Sequence, residues 1–264
     1  MNRFTLIILA LFFQMTAFAQ SFDHSHQAFN EVLEQHVVVY DNNLKSAVDY
    51  KTLAHNRQQL DRYLITLSDA QKNQYETWSE NEQLAFLINA YNGFTLQLII
   101  NHFTEFESGK ADSIRDLGGL FSTPWEKSFF TLLGKKRTLD WIEHEKIRVD
   151  FDEPRIHAAL VCAAVSCPKL RAQAFTAGKL DEQLEKQMVA FLSDRDNNGI
   201  DAQGIYLSKI FDWYQDDFNS LSSYISEYAN ALSDTEEQKD KLKQRSLNIR
   251  FVDYNWKLNS VNNR

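Results

Sequence analysis

Cysteine occurs only twice in this 264-residue sequence, at Cys162 and Cys167, and with no second pair nearby there is no zinc-type ligand spacing. No block of Lys and Arg is present, and the formal charge is -8 at pH 7. Nucleic acid is therefore not an expected partner, because phosphate contacts need clustered cations. There is no glycine-rich phosphate loop and no serine-hydrolase elbow. After the N-terminus, no apolar run approaches the roughly 20 residues that a membrane-spanning helix needs, so no integral membrane segment is expected in the mature chain. Internal repeats, low-complexity linkers and shifts of composition are also missing, which leaves one domain as the simplest organisation.

The N-terminus is read as a secretory signal. A basic start (Asn2, Arg3) precedes an apolar stretch from Phe4 to Phe13, and Ala17-Phe18-Ala19 fits the small-x-small cleavage pattern. Cleavage is expected after Ala19, with residues 1–19 as signal and 20–264 as one exported domain, periplasmic or secreted. Export would favour oxidised cysteines.

With 44% apolar residues and 13% aromatics the chain can bury a substantial core. Phe29, Val32, Leu33 and His36 lie at helical spacing, Val37 to Tyr40 reads as a strand, and Asp41-Asn42-Asn43 is turn chemistry. Ser68 with Asp69 suggests a helix cap before QKNQYETW. Ser79 with Glu82 three residues on forms a capping box before LAFLINAYNGFTLQLII, whose apolar residues spread around most of a helix. That helix is expected at the centre, and Asn89 and Asn92 on it must then find hydrogen bonds. A hairpin is expected at residues 131–138 with its turn at Gly134, an amphipathic helix over residues 139–148, and another over residues 180–192. Residues 205–207 and 249–254 read as strands, and residues 233–245 as a solvated surface or loop. The sum is an α+β fold, predominantly helical with a small β-sheet.

The chemistry-bearing stretch is RIHAALVCAAVSCPKL, from Arg155 to Leu170. Its run from Ala158 to Val165 is expected to be a buried helix. Cys167 precedes Pro168, so that helix should stop there, and Pro168 can open a new one with Cys167 at its N-cap. A thiol at that position sits in the positive end of the helix dipole, which favours a nucleophilic thiolate. His157 is the nearest base, but ten residues of unbroken helix span about 15 Å, so the two meet only if the chain reverses between them. Otherwise His144 or His102 would have to serve. Glu82 and Glu143 are candidate orienting carboxylates, and Asn89 or Asn92 a polar donor for substrate or an oxyanion. Two alternatives stand beside this reading. Cys162 and Cys167 could form a disulfide if the chain turns between them, and the polar groups could build a non-catalytic binding or scaffold module.

Asp194, Asp196 and Asn198, with Gly199 following, resemble the start of a calcium loop. The twelfth place holds Ile205 where that loop uses a bidentate glutamate. Calcium is thus a candidate cofactor, with an ordinary Asp/Asn/Gly turn as the alternative.

Five blocks in order resemble the family called domain of unknown function 547. They are NEQLAFLINAYN (81–92), TLDWIEHEKIR (138–148), RIHAALVCAAVSCPKL (155–170), LSKIFDWYQDDF (207–218) and FVDYNWKLN (251–259). The family pattern has Trp where Leu87 stands and an aromatic where Ala158 stands, departures that touch packing. The resemblance implies that His157, Cys167, His144 and Glu143 share one site, and it hints at a papain-like cysteine hydrolase arrangement. The implied activity is a thiol-dependent hydrolase or acyl transfer on an unidentified small molecule or peptide.

Overall fold

The central helix, Glu80–Asn101, begins where Ser79 accepts a hydrogen bond from the Glu82 N–H and Glu82 returns one to the Ser79 N–H at 2.8 Å. The computed structural model to which this helix belongs describes residues 21–119 and 122–263, so the expected signal segment lies outside the described residues. Every residue from Leu84 to Leu96 is buried, as a helix apolar on all sides must be. Around it pack helices Gln27–His36, Tyr50–His55 and Gln58–Asp69, each offering one apolar stripe. Phe29 stacks on Tyr63 at 4.7 Å, and Gly93 lets the helix backbone come close to Leu64 and Tyr63.

Among the described residues, three small sheets decorate this helical body. Strand β1 (Val37–Tyr40) pairs antiparallel with β2 (Lys45–Val48) across the predicted turn, where Asp41, Asn42 and Asn43 all adopt positive φ. Strands β3 (Phe130–Leu132) and β4 (Lys135–Arg137) form the expected hairpin at Gly134. Strand β5 (Gly199–Asp201) pairs antiparallel with β6 (Gly204–Leu207), and β6 runs parallel to β7 (Ile249–Phe251). A second apolar cluster, built from Met188, Phe191, Leu207, Phe211, Phe218 and Leu232, lies under this last sheet. The fold is a single α+β domain, predominantly helical.

Several local expectations are corrected. Ser68 and Asp69 end the Gln58–Asp69 helix, and the short helix Lys72–Tyr75 starts from Gln71. The polar run after Ser233 contains a helix, Glu236–Lys243, capped by Thr235 and anchored by buried Leu242. The stretch from Trp141 to Ile147 is a π-type helix, a wide turn often found at functional sites.

The largest correction falls on the Arg155 to Leu170 stretch. A 3-10 turn, Pro154–Ala158, ends on the first residue of the apolar run, and the rest of the run is loop, largely buried with Val165 exposed. No helix opens at Pro168, so Cys167 is not an N-cap. The reason is tertiary. Asn92 on the central helix donates to the Ala159 carbonyl and accepts from the Val161 N–H, both at 2.9 Å. From the other side, the Val165 and Ser166 N–H groups donate to the carbonyls of Lys257 and Asn255, and the Asn259 N–H donates to the Ala163 carbonyl. External partners thus satisfy backbone groups that a helix would have paired internally.

Candidate functional site

The reversal between His157 and Cys167 does occur, through Ala163 at φ 61°. His157, Glu143, His144, Cys162 and Cys167 all line one pocket of about 240 Å³. The central helix contributes Tyr91, the π-type helix contributes Glu143 and His144, and the segment Ile210–Phe218 contributes Trp213 and Tyr214. The C-terminal segment closes it with Tyr254 and Trp256. Trp213, Tyr254 and Trp256 form a continuous aromatic wall, with ring centroids 4.6 to 5.6 Å apart.

The imidazole of His157 is buried and donates from Nε2 to Asp217 Oδ2 at 2.7 Å. Tyr214 stacks on the ring, with centroids 4.0 Å apart. Arg148 grips the same carboxylate with two bonds, at 2.6 and 2.7 Å, and reaches His144 Nδ1 at 3.0 Å. The bond from His157, reinforced by Arg148, holds the Asp217 carboxyl well below the usual carboxylate range. Glu143 is buried, with the hydroxyls of Tyr91 and Tyr214 beside it. Burial raises both phenols above their ordinary value and the Glu143 charge raises them further, so both remain protonated donors.

Cys162 and Cys167 are joined as a disulfide, with α-carbons 6.3 Å apart. In this state Cys167 is not a thiolate, which corrects the expectation of a free nucleophile there. The Cys167 sulfur nevertheless receives two donors, the Cys162 N–H and the Tyr254 hydroxyl, each at 3.1 Å.

Not every predicted site residue gathers here. Glu82 is held in its capping box, 3.9 Å from His24, and does not line the pocket. Asn92 spends its amide on the Cys-loop backbone as described. Asn89 does the same for Phe175, donating to its carbonyl at 2.8 Å and accepting its N–H at 3.0 Å. Both are internal braces, placed where no substrate reaches them. His102 pairs with Glu105 outside the pocket.

The Asp194 loop is remote from this pocket and does not fit calcium. Lys45 places its ammonium 2.5 Å from Asp196, 3.2 Å from Asp41 and 3.4 Å from Asp194, supplying the charge a cation would supply. Asn198 is fully buried, bonded to the Phe191 carbonyl and the Ser208 N–H. Among the described residues no group of three or more His, Cys, Asp or Glu side chains could hold a metal ion.

The sequence reading missed Asp217, Arg148, Tyr214 and Tyr254. The first three contact each other or His157, yet Asp217 lies sixty residues from the histidine it pairs with. The available signal was LSKIFDWYQDDF, a block dense in acidic and aromatic residues at a short-helix boundary.

Among the described residues no helix is long and apolar enough to cross a membrane. No curated protein and no solved structure matches the chain. Residues 75–192 match the family described as Protein of unknown function, DUF547. That stretch holds Glu143, His144, His157 and both cysteines, while Asp217, Trp213, Tyr214, Tyr254 and Trp256 lie beyond it. That match covers less than half of the chain, and over residues 75–192 the chain is similar to the DUF547 family.

Proposed function

We propose that the protein is an exported, thiol-dependent hydrolase or acyl-transfer enzyme that works once the Cys162–Cys167 bond has been reduced. Cys167 is the nucleophile, His157 the general base and Asp217 the carboxylate that orients it. The supporting observation is that His157, which lines the pocket that also holds Cys167, bonds from Nε2 to Asp217 at 2.7 Å. That bond fixes the tautomer, leaving Nδ1 as the basic nitrogen. Neither Glu82 nor Glu143 holds the orienting position.

A dithiol would supply two electrons and two protons to open the disulfide. With the bond open, the Cys162 N–H and the Tyr254 hydroxyl, which already meet the sulfur, favour the thiolate. The Cys167 thiol passes its proton to His157, the thiolate adds to a substrate carbonyl carbon, and the carbonyl π electrons move onto oxygen as an oxyanion that draws on nearby donors. Protonated His157 hands its proton to the leaving group, giving a thioester. Water, deprotonated by His157, then cleaves the thioester and restores the thiolate; an acceptor alcohol or amine in place of water gives transfer. Asp217 stabilises the imidazolium throughout. The aromatic wall and the modest volume suit a small acyl group or one peptide side chain.

The disulfide itself favours a second reading, in which the closed pocket binds a ligand without turning it over. The variant Cys162→Ser separates the two, because it leaves Cys167 free without reductant. Its Cys167 should label with iodoacetamide at an apparent pKa well below the free-thiol value of about 8.5, and the protein should cleave members of a panel of aryl esters and thioesters. Cys162→Ser with His157→Asn should lose that cleavage. An ordinary thiol pKa, with no turnover by the folded variant, would overturn the enzyme proposal and leave the binding module.

A further inference from the structure

A larger cleft, of about 630 Å³ and a size suited to a small organic ligand, shares no lining residue with the Cys167 pocket. Lys169 and Arg171 both line it, and among the described residues neither has a carboxylate within ion-pair distance. Two unpaired, partly buried cations are unexpected in a chain of net charge -8. The Arg171 Nε is buried and has no hydrogen-bond partner; the guanidinium lies over the Phe175 ring, 5.4 Å from its centroid, and a terminal nitrogen donates to Gln173 at 3.5 Å. Lys169 donates to the Asn43 carbonyl, a neutral acceptor.

The acids nearby are already committed. Glu185 on the cleft wall meets Arg155 at 3.4 Å and the Tyr228 hydroxyl at 3.0 Å. Glu182, the acid whose charge Arg171 feels, is bonded to Lys186. Asp41, beside the turn that forms one edge, is 3.2 Å from Lys45. Burial first, and then the Arg171 charge, push the Lys169 ammonium down to about 8, as expected for cations that lack counter-ions.

We propose that this cleft binds a phosphate monoester, its phosphate held between Lys169 and Arg171. Two adjacent cations match a group carrying nearly two negative charges better than a carboxylate with one. A guanidinium with an unspent Nε offers the forked geometry that phosphate oxygens accept. The organic part would lie against Val39, Leu44 and Val189, the aliphatic side of the same cleft. The assignment does not rest on the thiol chemistry of the other pocket.

The test is calorimetric titration of the full mature chain with phenyl phosphate, inorganic phosphate and benzoate at matched ionic strength. Phenyl phosphate should bind more tightly than the other two, and Arg171→Gln and Lys169→Gln should each weaken it roughly tenfold or more, as loss of a charge-assisted bond implies. Circular dichroism and the unfolding midpoint confirm that each variant is folded, and the lysine variant serves if the arginine one is not. No binding of phenyl phosphate, equal binding of benzoate, or unchanged affinity in both folded variants would overturn the assignment. Cosedimentation with phosphatidylcholine vesicles containing phosphatidic acid, lost in the same variants, would support it with a lipid headgroup as the source. Binding of phenyl phosphate without cosedimentation would support it with a soluble ester.

Discussion

Asp217 concentrates three demands on one side chain: it accepts from His157, is gripped by Arg148, and remains nearly a quarter exposed. Its depressed pKa links it to stability. The folded state holds the proton less tightly than the unfolded chain, so the stabilisation is present above the ordinary carboxylate range and is lost as pH falls through the depressed value. Asp217→Asn should therefore flatten the acid limb of the stability profile, measured as urea midpoint against pH. It should also leave Arg148 partly unpaired, at a cost of about 1–3 kcal/mol. In the Cys162→Ser background, ester cleavage should fall by roughly 10²-fold or more, because the imidazole loses its orienting charge.

Among the elements, the loop from Ala159 to Leu170 has no ladder of its own. It is held between the central helix, through Asn92, and the C-terminal segment, through residues 255–259. Asn92 acts as a surrogate strand edge, offering one donor and one acceptor to a buried backbone. Asn92→Ala should orphan the Ala159 carbonyl and the Val161 N–H and destabilise the protein by roughly 2–6 kcal/mol, at about 1–3 for each buried group. Equilibrium denaturation checks this. Because the clamp stands one residue before Cys162, the same variant should make the disulfide easier for a dithiol to open, read as a faster rate of thiol release.

For the whole molecule, two buried histidines make folding sensitive to acid. His26 hydrogen-bonds Tyr63 through Nδ1 at 2.8 Å, while its buried Nε2 has no partner, and burial pushes its pKa down to about 3. His36 is shifted in the same direction by burial. In the unfolded chain both would take up protons near the ordinary value of 6.5. The stability His26 allows is thus complete above that value and falls as pH drops toward 3, by up to about 1.4 kcal/mol per pH unit, and His36 adds a loss of the same sign. Thermal melts between pH 7 and pH 4 should show this decline, and His26→Gln, where folded, should make it shallower.

The sequence by itself determined what nearest neighbours and simple periodicity control. Ser79 and Glu82 started the central helix, the apolar positions from Leu84 to Ile100 buried it on every side, and Asp41-Asn42-Asn43 turned β1 into β2. Such features depend on sterics and hydrogen bonds a few residues long, so they are legible from the letters. His157, Cys167, His144 and Glu143 also stood out by residue type, and the fold brings them to one pocket. Tertiary structure alone decided the rest. It kept residues 159–167 out of a helix by supplying backbone partners from Asn92 and the C-terminal segment, and in doing so let Cys167 turn back to Cys162. It gave His157 a carboxylate sixty residues away, and it set Lys45 among Asp41, Asp194 and Asp196, where calcium had been one candidate and a plain turn the other. In each case the deciding partner is distant along the chain, and local propensity yields wherever a distant group satisfies buried polar atoms better than the neighbours can.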